Sequence, residues 1–322
     1  MRHLALKHGA HVFARYIEKY GVRFFLKICL FNCALMPQIN GQNTAQFPYV
    51  DFHDSMDIAS IYYKDCMQNG KGYSLCLPEQ GSAYLLSFFE SLYKANSSLT
   101  VKYNTTSKIP KIIHQIWIGP KEFPQKYKTL ATSWLKHHPD WKYMLWDNES
   151  IKQLKLVNQD LFDAADNWGE KSDIARYEIL YRFGGLYVDV DFECLKPFDV
   201  LHHCYDFYCG LSPLDCGVLC AVNALIGTVA GHPILKHCVE SLKNDQNIGY
   251  LKTGPVHFTK SIYHQAQSPN SFINIVLPPD YFYPLTLRQK KYNKNKITKV
   301  ISQKTEAFAI HYWAGSWQEE GK

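Results

Sequence analysis

The sequence predicts an α/β fold with a mainly parallel central sheet, preceded by a mostly helical N-terminal segment. Three observations carry this. From Ile109 onward, short β-rich runs alternate with helical segments of roughly 10–20 residues, the pattern of strands joined by crossover helices. The 322 residues are 46% hydrophobic and only 20% charged, enough apolar material for a large packed core and too much for a disordered chain. No stretch approaches ~20 uncharged apolar residues, which excludes a polytopic membrane protein.

The elements follow in chain order. Residues 1–27 hold +5 of the net charge of +6, and these cations precede the apolar run Phe24–Met36. Two readings stay open for residues 1–41. They form a leader that acts as a signal or anchor, or they form an amphipathic surface helix. The first implies a secretory or membrane-associated protein with membrane association through this segment, the second a cytoplasmic one. Residues 42–108 read as a helical preamble, with helical patterns over Ser55–Met67 and Ser82–Lys94 and a polar linker over Ala95–Lys108.

The catalytic-looking part is expected over residues 109–322. Lys111–Ile118 is a strand closed by Gly119-Pro120. Pro124–His138 is a helix stopped by Pro139, and Trp141–Trp146 is a second strand. Asp147-Asn148 caps a helix over Ser150–Trp168, broken by Gly169. A helix over Ser172–Phe183 ends at Gly184-Gly185, and Leu186–Phe192 is a third strand. Cys204, Cys209, Cys216 and Cys220 cluster without a zinc-like spacing and read as buried reduced thiols. Beyond the leader the chain is nearly neutral, so a nucleic-acid partner is not expected. Six cations between Arg288 and Lys299 are either a solvated lysine-rich loop or a surface that attracts an anionic acceptor or membrane.

The segment Ser172–Pro197 carries the chemistry. Strand alternation sends Tyr187, Asp189 and Asp191 to one face and Leu186, Val188 and Val190 to the other. Two carboxylates at the end of an apolar strand are costly unless neutralised, and a hard divalent cation does that well. Asp173 and Arg176 lie on one helical face, directly upstream of this strand. As an exposed pair they would be worth only ~0.3–0.5 kcal/mol. In a crevice Asp173 can accept hydrogen bonds from sugar hydroxyls, and Arg176 can donate to hydroxyl or phosphate oxygens. His114 reads as a core histidine, and Trp313 as a packing residue. Glu193 stands where a DxDx[T/V] phosphotransferase wants Thr or Val, which argues against that class.

The block SDIARYEILYRFGGLYVDVDFE resembles the sugar-binding region of the DxD-containing glycosyltransferases of family 32, to which the large clostridial glucosylating toxins are related. The resemblance extends over roughly residues 109–322. It includes IPKIIHQIWIG, WKYMLWD, Asn223-Ala224, Gly231-His232-Pro233, Thr253-Gly254-Pro255 and the closing HYWAGSW. It implies a GT-A fold, a nucleotide-sugar donor, Mn²⁺ or Mg²⁺ as cofactor, and retention of anomeric configuration. The acceptor is a glycan, lipid or protein. The donor is expected to be a UDP-sugar, with GDP-mannose the alternative.

By the same resemblance, Asp189 and Asp191 hold the metal and diphosphate, with His311 the third metal ligand. Asp173, Arg176 and Tyr187 lie near the donor sugar, and Asp173, Arg176 and Asp191 are the residues on which catalysis depends. Ile116 and Trp117 lie near the base or ribose, and Ser316 and Trp317 contact the diphosphate. A catalytically silent sugar-binding relative is the alternative reading.

Overall fold

The computed structural model describes residues 44–46, 48–60, 62–63, 76–77, 79–97, 100–244, 250–268 and 271–315. The leader over residues 1–41, Ser316 and Trp317 lie outside them. The strands are β1 (Thr44–Gln46), β2 (Thr100–Lys102), β3 (Ile112–Ile116), β4 (Lys142–Trp146), β5 (Gly185–Val188), β6 (Phe192–Cys194), β7 (Phe207–Leu211), β8 (Ala221–Thr228), β9 (Asn274–Leu277) and β10 (Ala309–His311). Six of them form the central sheet in the order β4-β3-β5-β8-β7-β9. β3 runs parallel to β4 and β5, β8 is antiparallel to β5 and β7, and β7 is parallel to β9. Only β8 in this sheet therefore runs backward, and the expected mainly parallel α/β sheet is present.

The inner strands bury their residues, as expected where helices cover a sheet, while the edge strand β4 is half-buried over most of its length. β5, β7 and β8 are buried at every position. Trp134, Trp146, Phe198, Tyr208 and Phe282 build the core beside them, and Phe52, Leu85, Phe89 and Tyr93 from the N-terminal side join the same cluster. The pair β1–β2 is antiparallel, and β2 falls inside the stretch read as a linker. No helix among the described residues is long and apolar enough to cross a membrane. Cys204, Cys209 and Cys220 are buried free thiols, as expected, whereas the free thiol Cys216 is only half-buried.

Three sequence expectations need correction. The helix expected over Ser150–Trp168 is two, Asn148–Leu154 and Gln159–Ala164, and Lys155 at φ 51° ends the first. Gly169 breaks nothing. It sits in the first turn of the helix Trp168–Phe183, whose N-cap Asn167 accepts a hydrogen bond from the Glu170 N–H, so that helix starts four residues before Ser172. Of the helix expected over Ser55–Met67, the start differs: a helix Phe52–Ser55 closes at once, with Asp57 at φ 50°, while Tyr62 and Tyr63 are helical and Ile61 and residues 64–67 lie outside the described residues.

The last correction touches the chemistry. The strand expected over Leu186–Phe192 stops at Val188, and Asp189-Val190-Asp191 form a turn before β6. The Asp189 N–H still reaches the Ala224 carbonyl, and the Phe192 N–H folds back to the Asp189 carbonyl at 3.3 Å. The two carboxylates thus meet through a turn rather than through pleat alternation.

Gly184 and Gly185 feed the buried helix into β5 at φ +62° and +100°. A Cβ at Gly185 would stand 2.7 Å from the Ile112 carbonyl oxygen, so this junction requires glycine for both its backbone sign and its space. β6 pairs antiparallel with β10, His311 opposite Phe192. That register carries a residue from the far end of the chain to the turn holding Asp191.

Candidate active site

Every described residue expected in the site lines one cavity of about 340 Å³, at the carboxyl ends of β3 and β5: Ile116, Trp117, Asp173, Arg176, Tyr187, Asp189, Asp191 and His311. This is where α/β sheets place ligands. Ile116 ends β3. Trp117 follows it, with its indole N–H donated to the Lys121 carbonyl and its ring against Phe123 and Tyr127. His114 points away into the core, between the Gly184 carbonyl and the Trp146 indole N–H, and burial pulls its pKa down to about 4.

The Asp173–Arg176 pair forms at 3.1 Å, but it is not the exposed pair considered from sequence. Asp173 is 8% and Arg176 5% exposed. Arg176 donates to the Asn223 carbonyl at 2.8 Å and the Ser172 carbonyl at 3.3 Å. It also meets Asp189 at 3.3 Å and stacks over the Tyr187 ring at 4.5 Å. Asp173 accepts from Asn223 Nδ2 at 2.8 Å and Thr253 Oγ1 at 3.1 Å. Tyr177, one turn on, accepts from Asn223 Nδ2 and donates to the Thr253 carbonyl.

Asn223, Thr253 and Tyr177 are the hydrogen-bonded framework around this pair that residue-by-residue reading missed. Asn223-Ala224 and Thr253-Gly254-Pro255 were visible as motifs, and Tyr177 lies one turn beyond Asp173, but neither signal says which group each side chain meets.

Electrostatics differ across the acidic cluster. Burial raises the Asp173 carboxyl above its ordinary range despite Arg176. Burial likewise raises Asp189, with Arg176 opposing and Asp191 adding to it. Asp191 behaves otherwise. Burial pushes it up, but His311 and the Ala314 N–H at 2.7 Å outweigh burial and hold it below the usual carboxylate range. Tyr187 donates its hydroxyl to Asp189 at 2.6 Å.

Asp189, Asp191 and His311 each offer a ligand atom, all within 4.8 Å of one another. His311 Nε2 lies 3.2 Å from Asp191 Oδ1, while its buried Nδ1 has no hydrogen-bond partner among the described residues. The imidazole is held between Phe192, stacked at 4.4 Å, and Trp313 at 4.3 Å. Trp313 also donates to the Leu285 carbonyl, the packing role expected, though its side lines the cavity. Two carboxylates and an imidazole facing one point, with a polar atom left over, suit a hard or borderline divalent cation.

A family model described as a glycosyltransferase sugar-binding region containing the DXD motif matches residues 124–208. Those residues, which include Asp173, Arg176, Asp189 and Asp191, are thus similar to the sugar-binding region of the DXD glycosyltransferases. It is similar to inositol phosphoceramide mannosyltransferase 3 of Schizosaccharomyces pombe, at 34% identity over 143 residues, covering 43% of this chain and 38% of that protein. It is also similar to mannosyl phosphorylinositol ceramide synthase SUR1 of Saccharomyces cerevisiae, at 30% identity over 188 residues, covering 54% of this chain and 47% of that protein. The chain thus spans less than half the length of these two curated relatives. Among solved structures, the PaToxG glycosyltransferase matches with a TM-score of 0.44 and 21% identity, covering 57% of this chain and 78% of that one.

Proposed function

We propose that this chain is a divalent-metal-dependent, retaining glycosyltransferase of GT-A type. Its catalytic domain is residues 109–322, and it moves a hexose from a nucleotide-sugar to a lipid or glycan acceptor. The observation that carries this is the meeting, in one cavity, of the Asp189–Asp191–His311 cluster with the buried Asp173–Arg176 pair. The UDP-sugar favoured from sequence gives way to GDP-mannose as the preferred donor, because the similar curated proteins are named as mannosyltransferases or mannosyl transfer enzymes.

In this reading Asp189, Asp191 and His311 hold Mn²⁺ or Mg²⁺. The cation, when bound, neutralises the diphosphate and stabilises it as a leaving group. The chain's own groups do the rest. Asp173, kept in place by Asn223 and Thr253, accepts hydrogen bonds from sugar hydroxyls. Arg176 fixes Asp173 relative to Asp189 through its two ion pairs, so that sugar and diphosphate sites keep one spacing. Trp117 and Ile116 offer an apolar wall for the base or ribose. Ser316 and Trp317 remain proposed diphosphate contacts. No carboxylate stands out as a nucleophile, which favours front-face transfer with the departing diphosphate taking the acceptor proton.

The test is nucleotide release from GDP-mannose, UDP-glucose and UDP-galactose with Mn²⁺, before and after chelation. Metal-dependent release from at least one donor is expected, GDP-mannose foremost. No release from any donor, or full release after chelation, would overturn the proposal.

A further inference from the structure

The segment from Thr286 to Ser302 is the most cationic surface in the described chain and is unused by the chemistry above. It consists of a 3₁₀ turn, Leu287–Lys291, and a helix, Lys294–Ser302. No Asp or Glu occurs in it. Arg288, Lys290, Lys291, Lys294, Lys296 and Lys299 are all exposed. Arg288 lies over the Tyr62 ring at 4.3 Å and Lys296 over the Tyr292 ring at 5.5 Å. No carboxylate among the described residues forms a salt bridge with any of the five lysines.

Two further features give the patch a direction. Leu287 and Lys290 line the cavity that contains Asp191 and His311, so the patch begins at the cavity rim. The helix that follows is nine residues long, about 13 Å at the usual rise, and none of its residues lines the cavity. Ile297, Val300 and Ile301 are its half-buried positions, while the lysines stay outward, and Tyr292 is 37% exposed between them. A single acceptor anion needs one or two cations at the rim. A longer row of exposed cations, whose lysines have no salt bridge to a described carboxylate, with an exposed amphipathic tyrosine, matches an extended anionic plane.

We infer that this segment docks the protein on an anionic phospholipid bilayer and holds the cavity mouth at the headgroup level. It therefore deepens the proposed function, naming a membrane-borne acceptor, but the binding itself needs no donor or metal. Transfer and docking can thus fail separately.

The experiment is co-sedimentation of the full chain with vesicles of phosphatidylcholine alone or with about 30 mol% phosphatidylserine, at ionic strengths from about 0.05 to 0.5 M. Binding is expected only with phosphatidylserine, and it should dissociate at the highest salt. A variant with Lys291, Lys294, Lys296 and Lys299 all changed to Gln should lose at least ~30-fold in partitioning, since each cation near such a surface contributes about fivefold. The same four positions changed to Arg should bind as the parent does. The melting temperature of each variant checks the fold, and nucleotide release from a soluble donor should be unchanged. Binding that ignores vesicle charge or salt, or that survives the Gln variant, would overturn the inference. Binding to a soluble polyanion such as heparin without binding to the charged vesicles would overturn it too.

Discussion

Replacing Arg176 by Ala should destabilise the whole protein and not only its chemistry. The guanidinium is buried and serves five groups: two carbonyls, two carboxylates and the Tyr187 ring. Its removal leaves the buried Asp173 and the half-buried Asp189 without their guanidinium partner and leaves the Asn223 carbonyl without this donor. Breaking a buried ion pair by deleting one partner costs about 3–5 kcal/mol. For a chain of 322 residues at ~2.1 cal/mol/K each, one kcal/mol moves the melting temperature by roughly 1.5 °C, so a fall of about 4–8 °C is expected at neutral pH. The loss should shrink in acid, because Arg176 opposes the burial that raises both carboxyls. Without it they take up protons at higher pH and shed the uncompensated charge. Arg176→Lys should recover part of the stability but not all, since one ammonium cannot reproduce the planar fork. Thermal melts of the three proteins at pH 7.5 and 5.5 decide this. A shift under about 2 °C in the Ala variant, the size expected of an exposed pair, would refute the reasoning.

Two other outcomes follow from the packing. Burial pulls His114 and His232 down to about 4, whereas in the unfolded chain they titrate near 6.5. Between those values the unfolded state binds more protons, so their contribution is complete above about pH 6.5 and is lost as pH falls toward 4, up to about 3 kcal/mol each. Urea melts at pH 7.5 and 4.5 should show that loss, and His232→Asn should flatten it; an unchanged slope would count against the assignment. Gly227→Ala should cost about 1–3 kcal/mol or more by overpacking, because its Cβ would fall 2.1 Å from the Tyr208 ring directly across the strand pair; a melting temperature within about 1 °C of the parent would contradict it.

Local signals were legible wherever one element carries the information. The strand ending at Ile116, the helix Gln125–His137 and the capping box at Asp147 lie close to where periodicity and cap chemistry put them. The DXD turn was found by its residues but given the wrong backbone, since Tyr187, Asp189 and Asp191 alternate in sequence as a strand would. The chain leaves the central sheet after Val188 because β6 must turn away to pair with β10. Burial of the Asp173–Arg176 pair was not legible, because what buries it comes from elsewhere. Asn223 is 47 residues from Arg176, and Thr253 is 80 from Asp173. No spacing rule within the helix could announce them. His311 reached the acidic pair by resemblance alone, and its position there follows from the β6–β10 register.

The most direct test of the central claim is Mn²⁺ binding, measured by titration calorimetry with GDP present, for the parent and for Asp191→Asn and His311→Ala. The parent should bind one Mn²⁺. Each substitution should weaken binding at least ~10-fold, the usual scale for disturbing a metal's ligand environment, with Asp191→Asn the more severe because it removes a charge. Equal affinity in all three proteins would contradict the Asp189–Asp191–His311 assignment and, with it, the metal-dependent chemistry.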